Sequence, residues 1–285
     1  MQGKNCVVTG ATSGIGFETA LELAKRGANV AILARNEQKG QDAVQSITSQ
    51  SGSKHVHLFP CELASQEQIR STGSSILDQF KTIDVLVNNA GTWFSKYTLT
   101  TEGIEMQFAV NHLSYFLLTH LLYPGLVKAD QGRIINVGSD SHFQGKMHFD
   151  NLNLTNKYHG LRAYAQSKLA NALFTYEFER RKQHRQITIN CVQPGLVKTD
   201  IGVKNTKPFH RFAWKVRRSG GVSPKEGAQT QIYLATAEEV GQMSGKYWDK
   251  CKTKSSSELS YNQKDAELLW ERSLELCGIK DYFKV

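Results

Sequence analysis

Short apolar runs alternate with longer amphipathic segments along the first half of the chain. Five runs are rich in Val and Ile and nearly continuous in hydrophobicity, which is typical of parallel strands buried on both faces: Asn5–Thr9, Asn29–Leu33, His55–Phe59, Ile83–Val87 and Arg133–Val137. The segments between them have the mixed pattern of helices: Gly16–Arg26, Glu37–Ser49, Gln66–Phe80 and Glu102–Lys128. This alternation predicts βαβ units and an α/β fold in which helices cover both faces of a doubly wound parallel sheet.

The second half continues the pattern. It predicts a helix over Ala163–Arg181, a strand over Ile187–Val192, a helix at about 225–236, a short strand over Lys246–Trp248 and a surface helix over Gln263–Leu276. Hydrophobic residues make up 40% of the chain and charged residues 21%, which is enough apolar material for a sizeable core. Because no repeat or linker separates folded halves, we expect residues 1–285 to form one domain with a variable loop at about 200–224.

A glycine-rich turn follows the first strand, in the segment TGATSGIG. Gly10, Gly14 and Gly16 permit a tight turn and a close backbone approach to a pyrophosphate, and the following helix directs its free N–H groups towards phosphate. The spacing differs by one residue from the GxGxxG pattern. A dinucleotide-binding turn is therefore predicted, with a turn that binds no ligand as the alternative.

Arg35 stands at the end of the second strand, 19 residues beyond Gly16. In NAD-selective sites an acidic residue near this position binds the adenosine ribose, whereas a guanidinium can pair with a 2′-phosphate. The sequence therefore favours NADP(H). Glu37 lies two residues further on and keeps NAD(H) possible, and a solvated Arg35 is the alternative interpretation.

The segment YAQSK places Tyr164 and Lys168 four residues apart, on one face of a helix. A lysine cation beside the phenol, together with a positive nicotinamide ring, is expected to lower the tyrosine pKa from about 10, which favours proton exchange with a carbonyl or alcohol oxygen. Ser139 follows a strand end, where an open α/β sheet binds its ligands, and Ser141 is a rival for the same role.

Together these motifs resemble the classical short-chain dehydrogenase/reductase family, whose patterns are matched by TGATSGIG at residues 9–16, NNAG at 88–91 and YAQSK at 164–168. The segments FDNLNL, LRAYAQSKLANALF and SGKYWDKCK resemble its retinol dehydrogenase and protochlorophyllide reductase-like branch. The resemblance implies a Rossmann-type sheet. It also implies that Tyr164 is the acid/base, that Lys168 is its electrostatic partner, that Ser139 orients the reacting oxygen and that Asn111 supports the lysine in a proton relay. Gly138 stands where the family usually has a first serine.

The resemblance also implies a set of cofactor contacts along the first 199 residues. They are Gly10, Ser13, Gly14, Ile15, Gly16, Arg35, Asn36, Glu62, Leu63, Asn89, Ala90, Gly91, Tyr164, Lys168, Pro194, Gly195, Val197 and Thr199. Glu62 replaces the aspartate usual beside the adenine ring and is one methylene longer. The five cysteines form no CxxC or Cys/His cluster, so no metal site is expected.

The branch resemblance implies a bulky apolar aldehyde, ketone or alcohol as substrate. Residues 204–218 mix basic and aromatic side chains, which fits either an amphipathic lid that touches an anionic membrane or a surface helix that caps the pocket. The formal net charge of +9 would suit nucleic acid, but no nucleic-acid-binding motif accompanies it and no such partner is expected.

The chain begins without a signal-peptide pattern, and its most apolar stretch is shorter than the roughly 20 residues that span a bilayer. A soluble cytoplasmic protein is therefore expected, and the resemblance implies a homodimer or homotetramer. The alternative function is an NADP-binding sensor or scaffold without turnover. Such a protein has no need to keep Ser139, Tyr164 and Lys168 together.

Overall fold

The computed structural model describes residues 1–198 and 220–284, and these residues contain one twisted sheet of eight strands. The strands are β1 Asn5–Thr9, β2 Asn29–Ala34, β3 Val56–Pro60, β4 Val85–Asn88, β5 Arg133–Val137, β6 Thr188–Gln193, β7 Lys246–Asp249 and β8 Lys252–Thr253. Their order is β3-β2-β1-β4-β5-β6-β7-β8, parallel throughout except for the antiparallel β7–β8 pair. The order reverses between β1 and β4, the position at which open α/β sheets bind ligands.

Helices connect the parallel strands. They are α1 Gly14–Lys25, α2 Glu37–Ser51, α3 Gln66–Gln79, α4 Met106–Phe108, α5 Ser114–Val127, α6 Gly160–Arg181, α7 Pro224–Thr236 and α8 Gln263–Cys277. The single helix predicted over Glu102–Lys128 is wrong at its start, because Leu99 and Glu105 pair across a turn before α4 begins. A π-helical turn, Ala109–Leu113, then joins α4 to α5.

The helices form two layers, one on each face of the sheet. The apolar cluster on one face includes Leu21 of α1, Ile47 of α2 and Leu234 of α7, packed on strand residues such as Ile32. The cluster on the other face draws on α3, α5, α6 and α8. The predicted doubly wound arrangement is confirmed. Within the described ranges, no helix combines the length and apolarity needed to cross a membrane.

Helix α8 is more deeply packed than the predicted surface helix. Its buried residues Ala266, Leu269 and Trp270 repeat at helical spacing and lie against α5 and α6. The Trp270 ring centroid lies 5.2 Å from that of Phe116, and the Tyr282 ring, just beyond the helix, lies 4.5 Å from Phe116. The C-terminal segment is therefore part of the core on this face.

Candidate active site

The glycine turn is shaped by the end of β4. Gly10 has φ +67°, and a Cβ placed on it would lie 2.8 Å from the Ala90 Cα atom, while a Cβ on Gly16 would overlap the Asn89 side-chain amide. Thr9 Oγ1 accepts hydrogen bonds from the backbone N–H groups of Asn89 and Ala90, each at 2.9 Å. The turn and the NNAG segment thus interlock, and side chains larger than hydrogen are excluded between them.

Helix α1 begins directly after this turn. Ser13, at its N-cap, has an extended backbone and makes no capping hydrogen bond with its side chain. The N–H groups of the first turn therefore keep their capacity to bind an anion, and the helix dipole adds positive potential there. Ile15 and Val197 both approach Gly227 of α7, so the helix start and the segment after β6 lie on the same side of the sheet.

Arg35 and Glu62 meet beyond the ends of β2 and β3. Arg35 Nη1 lies 3.5 Å from Glu62 Oε2, and the Arg35 side chain is 71% exposed. Asn36 caps α2, since its side-chain oxygen accepts a hydrogen bond from Lys39 N at 2.9 Å. Leu63 is half-buried against the core. An exposed guanidinium is therefore available at the position that the sequence assigns to a 2′-phosphate.

Tyr164 and Lys168 lie on the face of α6 that is turned towards β5. Lys168 is 2% exposed, and its Nζ donates a hydrogen bond to the Val137 carbonyl oxygen at 2.8 Å. The same Nζ lies 5.7 Å from the centroid of the Tyr164 ring and 5.8 Å from that of Tyr115. Burial of the ammonium lowers the pKa of Lys168 to about 8.

Lys168 alone does not lower the tyrosine pKa in this structure. Burial raises the pKa of Tyr164 to about 12, and the Ser139 hydroxyl, through a side-chain hydrogen bond, acts in the lowering direction. Removing water from the half-buried phenol disfavours the phenolate and outweighs this hydrogen bond. Tyr164 therefore holds its proton at neutral pH.

Ser139 caps a 3-10 helix, Asp140–Gln144, immediately beyond β5. Its hydroxyl donates a hydrogen bond to Ser141 Oγ at 3.2 Å, so the two candidate serines are neighbours, and the one that interacts with Tyr164 is Ser139. A Cβ on Gly138 would lie 2.7 Å from the Sγ atom of Cys191. The Cys191 thiol thus fills the space that a side chain at 138 would need.

Asn111 occupies the π-helical turn between α4 and α5. Its side chain accepts a hydrogen bond from Thr92 N at 2.7 Å and donates to Ser167 Oγ at 3.0 Å, while its backbone oxygen accepts from Asn171 Nδ2 at 2.8 Å. Asn111 is therefore joined to α6 at the residue before Lys168.

The segment that follows β6 contains the last of the predicted cofactor contacts along the chain. Gly195 has φ +80°, and its N–H donates to Gln193 Oε1 at 3.0 Å. Pro194 is half-buried, and Val197 pairs with Val222. Thr199 and the 204–218 segment lie outside the described residues.

The structure adds three residues that the sequence analysis did not single out. Tyr115 donates from its hydroxyl to the Ala90 carbonyl oxygen at 2.7 Å, and Cys191 lies beneath Gly138. His142 is wholly buried three residues after Ser139. The position of His142 three residues after Ser139 could have singled it out in the sequence, whereas Tyr115 and Cys191 lie in apolar runs that resemble ordinary core.

Comparison with known proteins identifies the family to which the chain belongs. Residues 4–208 match the family described as short chain dehydrogenase. The chain belongs to the short-chain dehydrogenase family. This short-chain dehydrogenase is 40% identical over 285 residues to retinol dehydrogenase 13 of Homo sapiens, covering 98% of this chain and 86% of the relative. It is 39% identical over 278 residues to retinol dehydrogenase 12 of Mus musculus, covering 98% and 87%.

Solved structures agree on the fold. A crystal structure of an uncharacterised protein from Mycobacterium paratuberculosis has a TM-score of 0.79 at 28% identity and covers 100% of this chain and 96% of its own. A short chain dehydrogenase from Escherichia coli CFT073, crystallised with NADPH, has a TM-score of 0.71 at 22% identity. The match covers 88% of this chain and 98% of that one. The family match and the retinol dehydrogenase relatives, not the solved structures, show that the chain is an alcohol/carbonyl oxidoreductase of the retinol dehydrogenase-like branch.

Proposed function

We propose that the chain is an NADP(H)-dependent oxidoreductase that interconverts bulky apolar aldehydes or ketones and the corresponding alcohols. The observation that carries this proposal is the arrangement of Tyr164, Lys168 and Ser139 at the carboxyl end of β5. Lys168 is bonded to Val137, the last residue of that strand, and Ser139 interacts with the Tyr164 hydroxyl. The interlocked glycine turn lies at the neighbouring strand ends, where the sheet order reverses.

The residues present fit a dinucleotide. Gly10 and Gly16 allow the turn to pack directly against the NNAG segment, and the uncapped start of α1 that follows it provides N–H groups for a pyrophosphate. We assign the remaining contacts to the residues named from the sequence, with Arg35 towards a 2′-phosphate. When bound, NADP(H) supplies the hydride for reduction or accepts it in oxidation.

The chain's own residues manage the proton. In reduction, Tyr164 donates its proton to the carbonyl oxygen, which Ser139 orients through its hydroxyl. Lys168, with a pKa of about 8, is mostly protonated at pH 7, and its ammonium stabilises the phenolate that remains on Tyr164. Asn111 fixes Ser167 and so holds this part of α6 in register with the site. In oxidation the proton moves the other way.

A bulky apolar substrate is supported by similarity and by surface chemistry. The named relatives are retinol dehydrogenases, and retinol is an alcohol on a long apolar chain. Phe143, in the 3-10 helix after Ser139, is 48% exposed, and Leu196, in the segment after β6, is 38% exposed. One of these side chains lies four residues after Ser139 and the other three residues after the end of the neighbouring strand β6. Exposed large apolar side chains near the strand ends suit an apolar ligand better than a charged one.

A panel of medium-chain, aromatic and isoprenoid aldehydes, followed by NADPH absorbance, tests the activity. Tyr164→Phe should lower turnover by about 100- to 10,000-fold, because the proton donor is lost, with NADPH binding retained. Tyr233→Phe, on α7 on the opposite face of the sheet, is the matched control and should keep full turnover. Equal turnover of Tyr164→Phe and the unaltered protein would refute the mechanism.

Arg35→Ala tests the cofactor choice. Loss of a charged partner for the 2′-phosphate should weaken NADPH binding by about 10- to 100-fold and leave NADH binding nearly unchanged. Arg26→Ala, which removes an exposed arginine paired with Glu22 at the end of α1, is the control for loss of positive charge. Equal losses for the two cofactors in Arg35→Ala would exclude the assigned contact.

A further inference from the structure

His142 joins the loop of Ser139 to a distant part of the chain. The imidazole is wholly buried, with Nδ1 2.7 Å from the Ser139 carbonyl oxygen and Nε2 2.9 Å from the backbone N of Ser257. The backbone N–H of His142 also donates to the Ser139 carbonyl oxygen, at 3.0 Å. The carbonyl oxygen of Ser139, the residue whose hydroxyl orients the substrate, therefore accepts two hydrogen bonds from His142.

These contacts determine the tautomer of His142. A backbone N–H can only donate, so Nε2 must present its lone pair to Ser257. Nδ1 must then carry the hydrogen, because a carbonyl oxygen can only accept. A proton added to Nε2 would face the Ser257 N–H and break this bond, so the arrangement requires the neutral ring.

Burial favours the neutral form of the ring, and polar contacts around it restrain the same loop. The Tyr247 ring lies 4.8 Å from the imidazole, and burial lowers the pKa of His142. The hydrogen bond to the Ser139 carbonyl and the charge of Asp140 act on this pKa in the raising direction, and Lys254 acts in the lowering direction. Asp140 is itself bound by Lys254 Nζ at 3.2 Å and by Gln193 Nε2 at 3.0 Å.

We propose that His142 is a positioning residue for the reaction: its Nδ1–H fixes the Ser139 backbone, and its bond to Ser257 makes the orientation of the Ser139 hydroxyl depend on the loop that precedes α8. The inference rests on the proposed role of Ser139. His142 touches neither substrate nor cofactor in this scheme and acts through the serine.

Two amide substitutions separate the two bonds of the ring. His142→Asn places an amide nitrogen where Nδ1 stands and can still donate to the Ser139 carbonyl. His142→Gln places its amide where Nε2 stands and can accept from Ser257, but it leaves the Ser139 carbonyl without the side-chain donor. We expect kcat to fall by about 10- to 100-fold in His142→Gln and by no more than about threefold in His142→Asn, with the NADPH dissociation constant unchanged in both.

A double-mutant cycle with Ser139→Ala shows whether His142 acts through the serine. If it does, His142→Gln lowers kcat in the unaltered protein but has little further effect in the Ser139→Ala background. A full additional loss in that background, or no loss in His142→Gln alone, overturns the inference. If Ser139→Ala itself leaves kcat unchanged, the proposed function of the serine fails instead, so the two failures are distinguishable.

The tautomer gives a test that needs no substitution. In protein labelled with 15N-histidine, His142 should show a protonated Nδ1 and an unprotonated Nε2 at neutral pH. His142→Asn identifies its signals, and their assignment to an Nε2–H tautomer or to a charged ring overturns the inference even if His142→Gln does not fold.

Discussion

The buried charge of Lys168 is expected to destabilise the fold by a measurable amount. Its ammonium is almost fully buried, with the Val137 carbonyl as its hydrogen-bond acceptor, and burial lowers its pKa from the ordinary value of 10.5 to about 8. Lys168→Met keeps the volume of the side chain and removes its charge. We expect this change to remove a pH-dependent destabilisation from the protein.

The magnitude follows from the two pKa values. A fall from 10.5 to about 8 corresponds to about 3 kcal/mol of destabilisation from Lys168. Between these values the unfolded chain binds more protons than the folded one, so the lysine's contribution to stability rises with pH. The destabilisation is fully present below about pH 8 and disappears above about pH 10.5, where the lysine is neutral in both states. From pH 7 to pH 10 it should shrink by about 2.5 kcal/mol.

Urea denaturation of Lys168→Met and of the unaltered protein, at several pH values from 7 to 10, measures this pH-dependent destabilisation. The free energy of unfolding of Lys168→Met minus that of the unaltered protein should decrease as pH rises. Loss of the hydrogen bond to Val137 adds an offset of about 1–3 kcal/mol that does not change with pH, so the slope is the observable. Lys225→Met is the control for loss of an exposed charge. A difference that stays constant from pH 7 to pH 10 would refute the reasoning.

Three further substitutions test the packing around the site. Gly138→Ala should lower the unfolding free energy by about 1–3 kcal/mol, since its Cβ would lie 2.7 Å from Cys191 Sγ. Adding Cys191→Ala to this variant should recover most of that loss. If the losses of the two single variants simply add in the double variant, the result argues against the contact. Gly16→Ala should weaken NADPH binding at least about 10-fold in a fluorescence titration, because the methyl group overlaps the Asn89 amide, and an unchanged dissociation constant contradicts this. Trp270→Ala should lower the unfolding free energy by about 3–5 kcal/mol in urea denaturation, whereas a loss below about 1 kcal/mol would show that α8 is only loosely packed.

The sequence predicted the parallel strands well because strands buried on both faces are almost continuously apolar. The observed β1 and β5 have the predicted bounds, and β2 is longer by one residue. The π-helical turn at Asn111 was not predictable, because the sequence around it is apolar on nearly every side and has no clear periodicity that an extra residue would shift. The pattern of helix α8 predicts a surface helix, since the partners of Trp270 on α5 and α6 are far away in the chain.

For the site, motif spacing could place Tyr164 and Lys168 on one helix face but not their surroundings. The direction of the Tyr164 pKa depends on burial, which only the folded chain determines. His142 is close to Ser139 in sequence, yet its second partner, Ser257, is 115 residues away. Interactions that span such distances are the part of a site that sequence patterns do not reveal.

The docking of the C-terminal segment has a consequence for how the chain folds. His112 bonds to Ser273 across 161 residues, and the Tyr282 hydroxyl donates to the Phe116 carbonyl oxygen across 166. Contacts so distant in sequence close large loops and form slowly. During synthesis, the apolar faces of α5 and α6 therefore remain uncovered until the last helix has emerged. This part of the core is where we expect a folding intermediate to be most exposed to aggregation and most dependent on chaperones.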